Sequence, residues 1–180
     1  MKLTGEEYLD TIKEDFKKYK KIAEDTLSQL NEDEIHYRSG EDSNSISILI
    51  QHVSGNLVSR FSDFLTADGE KEWRKRDTEF EEQNLSKEKL IEKWNSGWKI
   101  LFDQLDKLSP EDLTKSILIR NEPHSVIKAL NRQAVHYAYH VGQIVFIAKE
   151  IKKESWKTLS VAKGKSEEFN RKMFSSGKDK

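Results

Sequence analysis

Residues 126–151, VIKALNRQAVHYAYHVGQIVFIAKEI, carry the most regular pattern in the sequence. Their apolar side chains recur at steps of three and four residues, at Ile127, Leu130, Ala134, Tyr137, Val141, Ile144, Ala148 and Ile151. This spacing is typical of the buried face of an amphipathic helix. The stretch therefore predicts a long helix that packs against a core.

Three earlier segments show the same spacing, and we predict helices over residues 5–30, over residues 44–66 and from Ser86 to about residue 108. The seam of the third helix is expected to run along Ile91, Trp94, Trp98, Leu101, Leu105 and Leu108. Four long amphipathic helices indicate an all-α fold, a four-helix bundle around one core.

The connections carry weaker signals. The charged residues 69–85 favour a loop or a loosely helical excursion, and residues 116–123, SILIRNEP, favour a short extended segment before the last long helix. A short docked helix is predicted over residues 166–173, followed by a disordered tail from about residue 175. No composition shift divides the chain, so we expect one domain over residues 1–180.

Charge and cysteine content exclude several kinds of chemistry. The 180 residues include 31 Lys plus Arg and 32 Asp plus Glu, and this near-neutral balance gives no global field that would attract nucleic acid or an anionic membrane. No stretch approaches the roughly 20 apolar residues of a membrane span, so a cytoplasmic location is the default expectation. With no Cys, disulfides, thiolate metal sites and a cysteine nucleophile are excluded.

Two histidines stand four residues apart on the last long helix. His136 and His140 lie in one line with Gln133 and Gln143, beside the apolar seam. Side chains four apart on a helix have Cβ atoms roughly 5–6 Å from one another, so both imidazoles can reach one metal ion. A pair of this kind is also common as solvated or hydrogen-bonded histidines, and the spacing alone leaves both interpretations open.

A matching polar stripe on the second helix contains His52, Asn56, Ser59 and Asp63. A third imidazole from His52 would complete a three-histidine face. Three neutral ligands leave an open position on a divalent ion, as in a reactive site. His36, in a polar link, and His124, at the start of the last helix, are expected to be surface or capping residues instead.

Four further residues are candidates for contacting the histidines or a substrate. Gln133 and Gln143 flank the pair on the last helix, and ligating imidazoles usually donate their other N–H group to a partner. Asn56 either orients a ligand or satisfies a buried neighbour, and Arg60 either grips a substrate carboxylate or pairs with an acidic side chain. Trp73, in the charged segment, is a candidate for closing over the site or for a dimer contact.

Several of these segments together resemble the DinB-like superfamily, and more narrowly a Bacillus-type branch related to YfiT and bacillithiol-transferase proteins. They are QH at 51–52, SGN at 54–56, Arg60, DFLT at 63–66, DGEK at 68–71, WR at 73–74, RNEPHSVIKALNRQ at 120–133, HYAYHVGQI at 136–144 and GKSEEF at 164–169. The resemblance covers nearly the whole chain.

The resemblance implies a four-helix bundle with up-down-down-up topology, frequently as a homodimer. It implies a divalent metal held by one His from the second helix and two from the fourth, which here are His52, His136 and His140. Members with known activity transfer thiols such as bacillithiol or mycothiol, or isomerise thiol adducts.

We therefore expect a metal-dependent enzyme that activates a small thiol, as an S-transferase does, or water, as a hydrolase does. Because the chain has no Cys, the thiol would belong to a small-molecule substrate. Zn²⁺ and Ni²⁺ are expected first, with Fe²⁺ and Mn²⁺ as further options; imidazole ligands suit Zn²⁺, Ni²⁺ and Fe²⁺. The alternatives are a non-catalytic metal-binding stress or sensor protein and a purely structural helical dimer; no membrane or nucleic-acid partner is expected.

Overall fold

The computed structural model describes residues 4–176. The main elements follow one another as α1 (Thr4–Leu27), α2 (Ile46–Phe61), α3 (Lys87–Leu105), β1 (Ser116–Ile119), β2 (Glu122–Ser125), α4 (Val126–Lys152) and α5 (Ser166–Ser176). Short 3-10 turns cover Glu34–His36, Asp77–Phe80, Pro110–Thr114 and Lys153–Ser155. The described part of the chain is mostly helical, as the apolar spacing predicts.

The four long helices share one apolar core. Helix α2 packs on α3 and α4, and α1 packs on α4 and α3. Phe16, Trp94, Trp98 and Tyr137 lie fully buried at the centre, which confirms the prediction that both tryptophans and Tyr137 belong to the core. On α3, a Cβ at Gly97 would lie 3.1 Å from the Cβ of Leu57, so the close approach of α2 and α3 depends on that glycine.

Serine side chains begin three of the helices. Ser45, Ser86 and Ser125 occupy the N-cap positions of α2, α3 and α4, and each hydroxyl accepts a hydrogen bond from a backbone N–H in the first turn. Helix α3 thus begins directly after Ser86, where the sequence predicts the start of the third helix. The seam of α3 differs by one position from the prediction, because Leu90 is buried whereas Ile91 is exposed.

Helix α2 ends at Phe61, five residues before the predicted end. Asp63 adopts a left-handed backbone with φ 51°, which breaks the helix. The chain that follows is tied elsewhere: the Gly69 N–H donates to the Leu118 carbonyl over 2.8 Å, and the Gly69 carbonyl accepts from the Ser59 hydroxyl over 2.8 Å. These contacts fix residues 62–69 against the hairpin and against α2 itself. The helices predicted over 5–30 and to about residue 108 also end early, at Leu27 and Leu105.

The predicted extended segment is an antiparallel hairpin in which Ile117 pairs with His124. Its two turn residues, Arg120 and Asn121, both have positive φ, 55° and 60°, as a two-residue hairpin turn of type I′ requires. Neither is glycine, so the turn is strained. The Asp68 carboxylate offsets this by accepting hydrogen bonds from both backbone N–H groups, over 2.8 and 2.7 Å.

Helix α5 forms where the sequence predicts a C-terminal helix, but it is exposed rather than docked. Phe169 and Phe174 are exposed by 46% and 75%. The tail predicted to be disordered from about residue 175 begins inside α5, and its last four residues lie outside the described part of the chain. Within residues 4–176, no helix is both long enough and apolar enough to cross a bilayer.

Candidate metal centre

Three imidazoles from two helices converge inside the helical body. His52 comes from α2, and His136 and His140 come from successive turns of α4. The Nε2 atom of His136 lies 3.2 Å from Nε2 of His52 and 3.0 Å from Nε2 of His140. His52 and His140 are 4% and 8% exposed. The structure thus brings together the three histidines that the two polar stripes predict.

The opposite nitrogens of two of these rings are held by acceptors. Nδ1 of His52 lies 3.0 Å from Oε2 of Glu79, and Nδ1 of His140 lies 2.8 Å from Oε1 of Gln143. A carboxylate only accepts, so the proton of neutral His52 resides on Nδ1, and the same argument applies to His140 and the amide oxygen. Both rings therefore present the lone pair of Nε2 to the cluster.

The Glu79 carboxylate is itself fixed from two sides. Arg74 donates from Nε to Oε1 and from Nη2 to Oε2, each over 2.8 Å, in a bidentate contact. On the other side it lies against Gly55 of α2, where a Cβ would collide with the carboxylate. Although burial opposes it, the hydrogen bonds from His52 and Arg74 lower the pKa of Glu79. Glu79 is thus an ionised acceptor in a fixed position.

Burial holds the two α4 imidazoles in their neutral form. Desolvation, together with the neighbouring imidazoles and arginines, lowers the pKa of His136 to about 3. Desolvation and His52 lower the pKa of His140 to about 4, against the opposing effect of the Gln143 hydrogen bond. Neutral imidazole is the form that binds metal ions.

The donor set fits a divalent cation. The three ligand nitrogens all lie within 4.8 Å of one another. Two nitrogens that bind one zinc ion at 2.0–2.1 Å in a tetrahedral arrangement are ~3.3 Å apart. The separations of 3.2 and 3.0 Å around His136 approach that value before any adjustment of the rings. His52, His136 and His140 therefore form a group that could hold a metal ion.

A polar cavity of about 180 Å³ opens beside His52 and His136. Besides the two imidazoles it is lined by two amides, Asn56 and Gln133, and by five arginines, Arg60, Arg74, Arg76, Arg120 and Arg132. Among residues 4–176, no acidic side chain lines it. A molecule in this cavity would meet both the imidazole cluster and several guanidinium groups.

The four further candidates from the sequence all lie at the cluster or the cavity. Gln143 contacts His140 as described, and Gln133 is buried at the cavity wall. Asn56 accepts a hydrogen bond from the Tyr137 hydroxyl over 3.0 Å. Arg60 pairs with Glu70 over 2.9 Å and also donates to the Gly69 carbonyl. Arg60 thus makes the acidic contact that was one of its two predicted roles.

Other sequence candidates lie elsewhere. Asp63 is exposed beyond the end of α2, and Trp73 is 59% exposed and does not line the cavity. His36 contacts Glu82, away from the cluster. His124 is buried at 4% exposure, so its expected surface or capping role is wrong: it faces Ile117 across the hairpin, and Ser125 caps α4.

The contacts that sequence reasoning missed come mainly from the charged segment 69–85. Glu79 and Arg74 have no helical spacing relative to His52, so periodicity could not single them out. The available signal was compositional: Arg74 and Arg76 follow Trp73 in a charged segment that comes after a predicted site helix. Residues 77–80 form a 3-10 turn that places Phe80 against the His52 ring, with centroids 4.5 Å apart.

Comparison with known proteins gives one result. Residues 3–165 match a family model described as "Protein of unknown function (DUF1572)". No curated protein matches the chain.

Proposed function

The chain belongs to the DUF1572 family, which lies in the DinB-like superfamily, and we propose that it is a metal-dependent enzyme acting on a small molecule. The observation that carries the proposal is the convergence of His52, His136 and His140 beside a polar cavity. The three imidazoles hold one divalent ion. The burial and the fixed tautomers of His52 and His140 prepare the site for a cation before one binds.

The protein groups around the imidazoles have separate roles. Glu79 accepts the Nδ1 proton of His52, and Gln143 accepts that of His140, so both rings keep their orientation and their donor atom. Arg74 keeps Glu79 ionised and in place. Phe80 covers one face of the His52 ring and limits its exposure to water.

The chemistry proposed is activation of a thiol or of water. A divalent ion at this position would lower the pKa of either one and supply a nucleophile at neutral pH. Since the chain has no Cys, the thiol arrives on a small molecule. S-transfer from such a thiol to an electrophile is the first reaction to test, and hydrolysis of an ester or amide is the second.

The cavity favours this proposal over a metal-binding sensor without turnover. A sensor needs an ion but no space for a substrate, whereas here about 180 Å³ adjoins two of the three imidazoles. A purely structural role for the histidines gives no reason for three imidazoles to converge beside a cavity that five arginines line.

Four finer features belong to the same proposal. The helices form an up-down-down-up four-helix bundle, which the packing of α1 on α4 and of α2 on α3 supports. The chain is related to the Bacillus-type, YfiT-like branch, and its ion is Zn²⁺ or Ni²⁺. It forms a homodimer, for which the exposed Tyr139 and Phe146 of α4 offer an apolar surface.

Elemental analysis of the chain purified without a His tag tests the proposal. We expect close to one divalent ion per chain, and none in the His52→Ala/His136→Ala double variant. The His36→Ala variant, whose imidazole lies outside the cluster, is the control and keeps its metal. Full metal content in the double variant would overturn the assignment.

Activity is tested in the metal-loaded protein. A panel of small thiols with electrophiles and a panel of esters and amides should give turnover in one panel, lost on chelation and restored by metal. A metal-loaded protein that turns over neither panel would favour the sensor.

A further inference from the structure

The cavity beside the histidines has an excess of positive charge. Five guanidinium groups line it, and the carboxylates that pair with them within residues 4–176 are Glu70, Glu79 and the outlying Asp77. Asp77 is 99% exposed and lies 3.8 Å from Arg76, so it neutralises little of the cavity's charge. Glu70 and Glu79 thus form the close ion pairs, and the Asp68 carboxylate, which accepts from the backbone of the hairpin turn and interacts with Arg60, adds a third negative charge against five cations.

The two innermost arginines are buried in close ion pairs. The side chains of Arg60 and Arg74 are 5% and 2% exposed, and they pair with Glu70 and Glu79 respectively. Even so, Nη1 of Arg74 is buried without a hydrogen-bond partner in the described residues, at 3.6 Å from the Glu70 carboxylate. Buried guanidinium donors left unpaired are costly. An anion entering the cavity would supply the missing acceptor.

Three arginines remain toward the outside of the cavity. Arg120 shares Glu70 with Arg60 and is held by the strained hairpin turn. Arg76 lies over the Phe80 ring, 4.9 Å from its centroid, and Phe80 in turn covers His52. Arg132 stands one helical turn before His136 on α4, and no ion pair or hydrogen bond engages it within residues 4–176.

The two amide side chains of the cavity, Asn56 and Gln133, add hydrogen-bonding groups with fixed directions. Gln133 is 3% exposed, and its Oε1 atom has no hydrogen-bond partner among the described residues. A ligand or a water in the cavity would satisfy this buried polar atom, since nearly all such atoms in folded proteins have a partner. Asn56 commits its Oδ1 to the Tyr137 hydroxyl, which leaves its NH₂ group available to donate.

We infer that this cavity binds an anionic oxygen group, a carboxylate or a phosphate, on the substrate that reacts at the three histidines. Arg132, with Arg76 and Arg120, attracts and holds the anion, and Asn56 and Gln133 orient it. This inference rests on the proposed function, because the anion is taken to be part of the substrate that reacts at the metal centre.

The size of the cavity defines which part of the substrate it takes. Pockets that enclose a whole drug-sized ligand measure roughly 300–1,000 Å³. A cavity of about 180 Å³ therefore holds a charged group and its nearest atoms. The reactive atom of the substrate lies close to the charged group, at the imidazole cluster. The remainder of the substrate extends outward past the arginines.

Calorimetric titration of the full chain with inorganic phosphate and with succinate tests the inference. Each titration is done on metal-free and zinc-loaded protein, with the metal content measured on the same samples. Saturable binding of one probe is expected, and the tighter probe tells phosphate from carboxylate. Arg132→Gln should weaken that binding about tenfold, as expected for lost hydrogen bonds to a charged group. The metal content should stay unchanged.

Arg171→Gln is the matched control, because it removes the same charge from exposed helix α5. It should leave both affinities unchanged. No saturable binding of either probe, equal affinity in the Arg132→Gln variant, or an equal loss in the Arg171→Gln variant would overturn the inference. If the full chain binds the anion but takes up no metal, the proposed function is contradicted and the anion site is supported.

Discussion

Two glutamates three residues apart each contact a histidine of another segment. Glu79 accepts from His52 over 3.0 Å, and Glu82 accepts from His36 over 3.1 Å. In both cases burial raises the pKa of the carboxyl group, but hydrogen bonds outweigh it and the pKa is lowered. Considered alone, the two contacts are the same chemical unit.

Their surroundings differ. Glu82 also accepts from the hydroxyls of Ser45 and Ser47, so it ties the charged segment to the first turn of α2. Glu79 is gripped by Arg74, and the far nitrogen of its histidine faces two further imidazoles. A histidine–carboxylate contact is therefore a structural tie in one place and part of a candidate metal centre in the other. The converging second and third imidazoles make the difference.

The largest effect that separates the two contacts is expected in metal affinity. Glu79→Gln should weaken metal binding by about 10–100-fold, as is typical when the partner of a ligating imidazole is altered. Glu82→Gln should leave metal affinity unchanged and lower thermal stability instead, because its contacts hold the start of α2. Competition with a chelating dye measures the affinity. Equal losses of affinity in both variants would mean that the two contacts do not differ in function.

The next effect is the pH dependence of stability in the metal-free protein. His136 and His140 have folded pKa values of about 3 and about 4, below the ordinary value of 6.5. As pH falls below about 6.5, the unfolded chain binds protons that the folded chain does not, so stability is lost. Urea unfolding midpoints should fall between about pH 7 and pH 5, a window above the range in which carboxyl groups titrate.

The His136→Ala/His140→Ala variant is the comparison for this pH series. Its midpoint should change less over the same window, whatever its stability at neutral pH. Parallel curves for the two proteins would show that these imidazoles are not buried in neutral form.

A smaller effect is expected from the glycine behind Glu79. In the Gly55→Ala variant, the new Cβ would collide with the Glu79 carboxylate, which must then move away from His52. Metal affinity should fall, but by less than in Glu79→Gln, since the carboxylate remains nearby. On α4, a Cβ at Gly142 meets nothing within 4 Å, so Gly142→Ala should keep full affinity and gain up to about 1 kcal/mol of stability. Matching affinities in the two variants would contradict the close approach at Gly55.

The smallest effect is expected at the second acceptor. Gln143→Leu removes the hydrogen bond to Nδ1 of His140, but it removes a neutral amide rather than a charged, clamped carboxylate. The loss of metal affinity should be only a few-fold, in line with one neutral hydrogen bond. The same dye competition measures it. A loss larger than that of Glu79→Gln would place the main support of the cluster on α4 instead of on the charged segment.

Local spacing was enough to predict part of this site. His136 and His140 share a face because four residues make about one helical turn, and Gln143 follows one turn after His140. The same regularity predicted α4 and the buried Trp94 and Trp98. It could not predict the end of α2 at Phe61, since the chain there is held by the hairpin turn through Asp68.

The sequence by itself determined the helices, their apolar faces and the polar stripes beside them, because these follow from the fixed geometry of a helix and from which side chains avoid water. Only the tertiary structure decided that His52, 84 residues before His136, meets it at 3.2 Å, and that Glu79 lies behind His52. It also gathered arginines from α2, the charged segment, the hairpin turn and α4 around one cavity. These long-range contacts depend on how the helices pack and on which residues hold the loops in place, and local sequence patterns do not specify either.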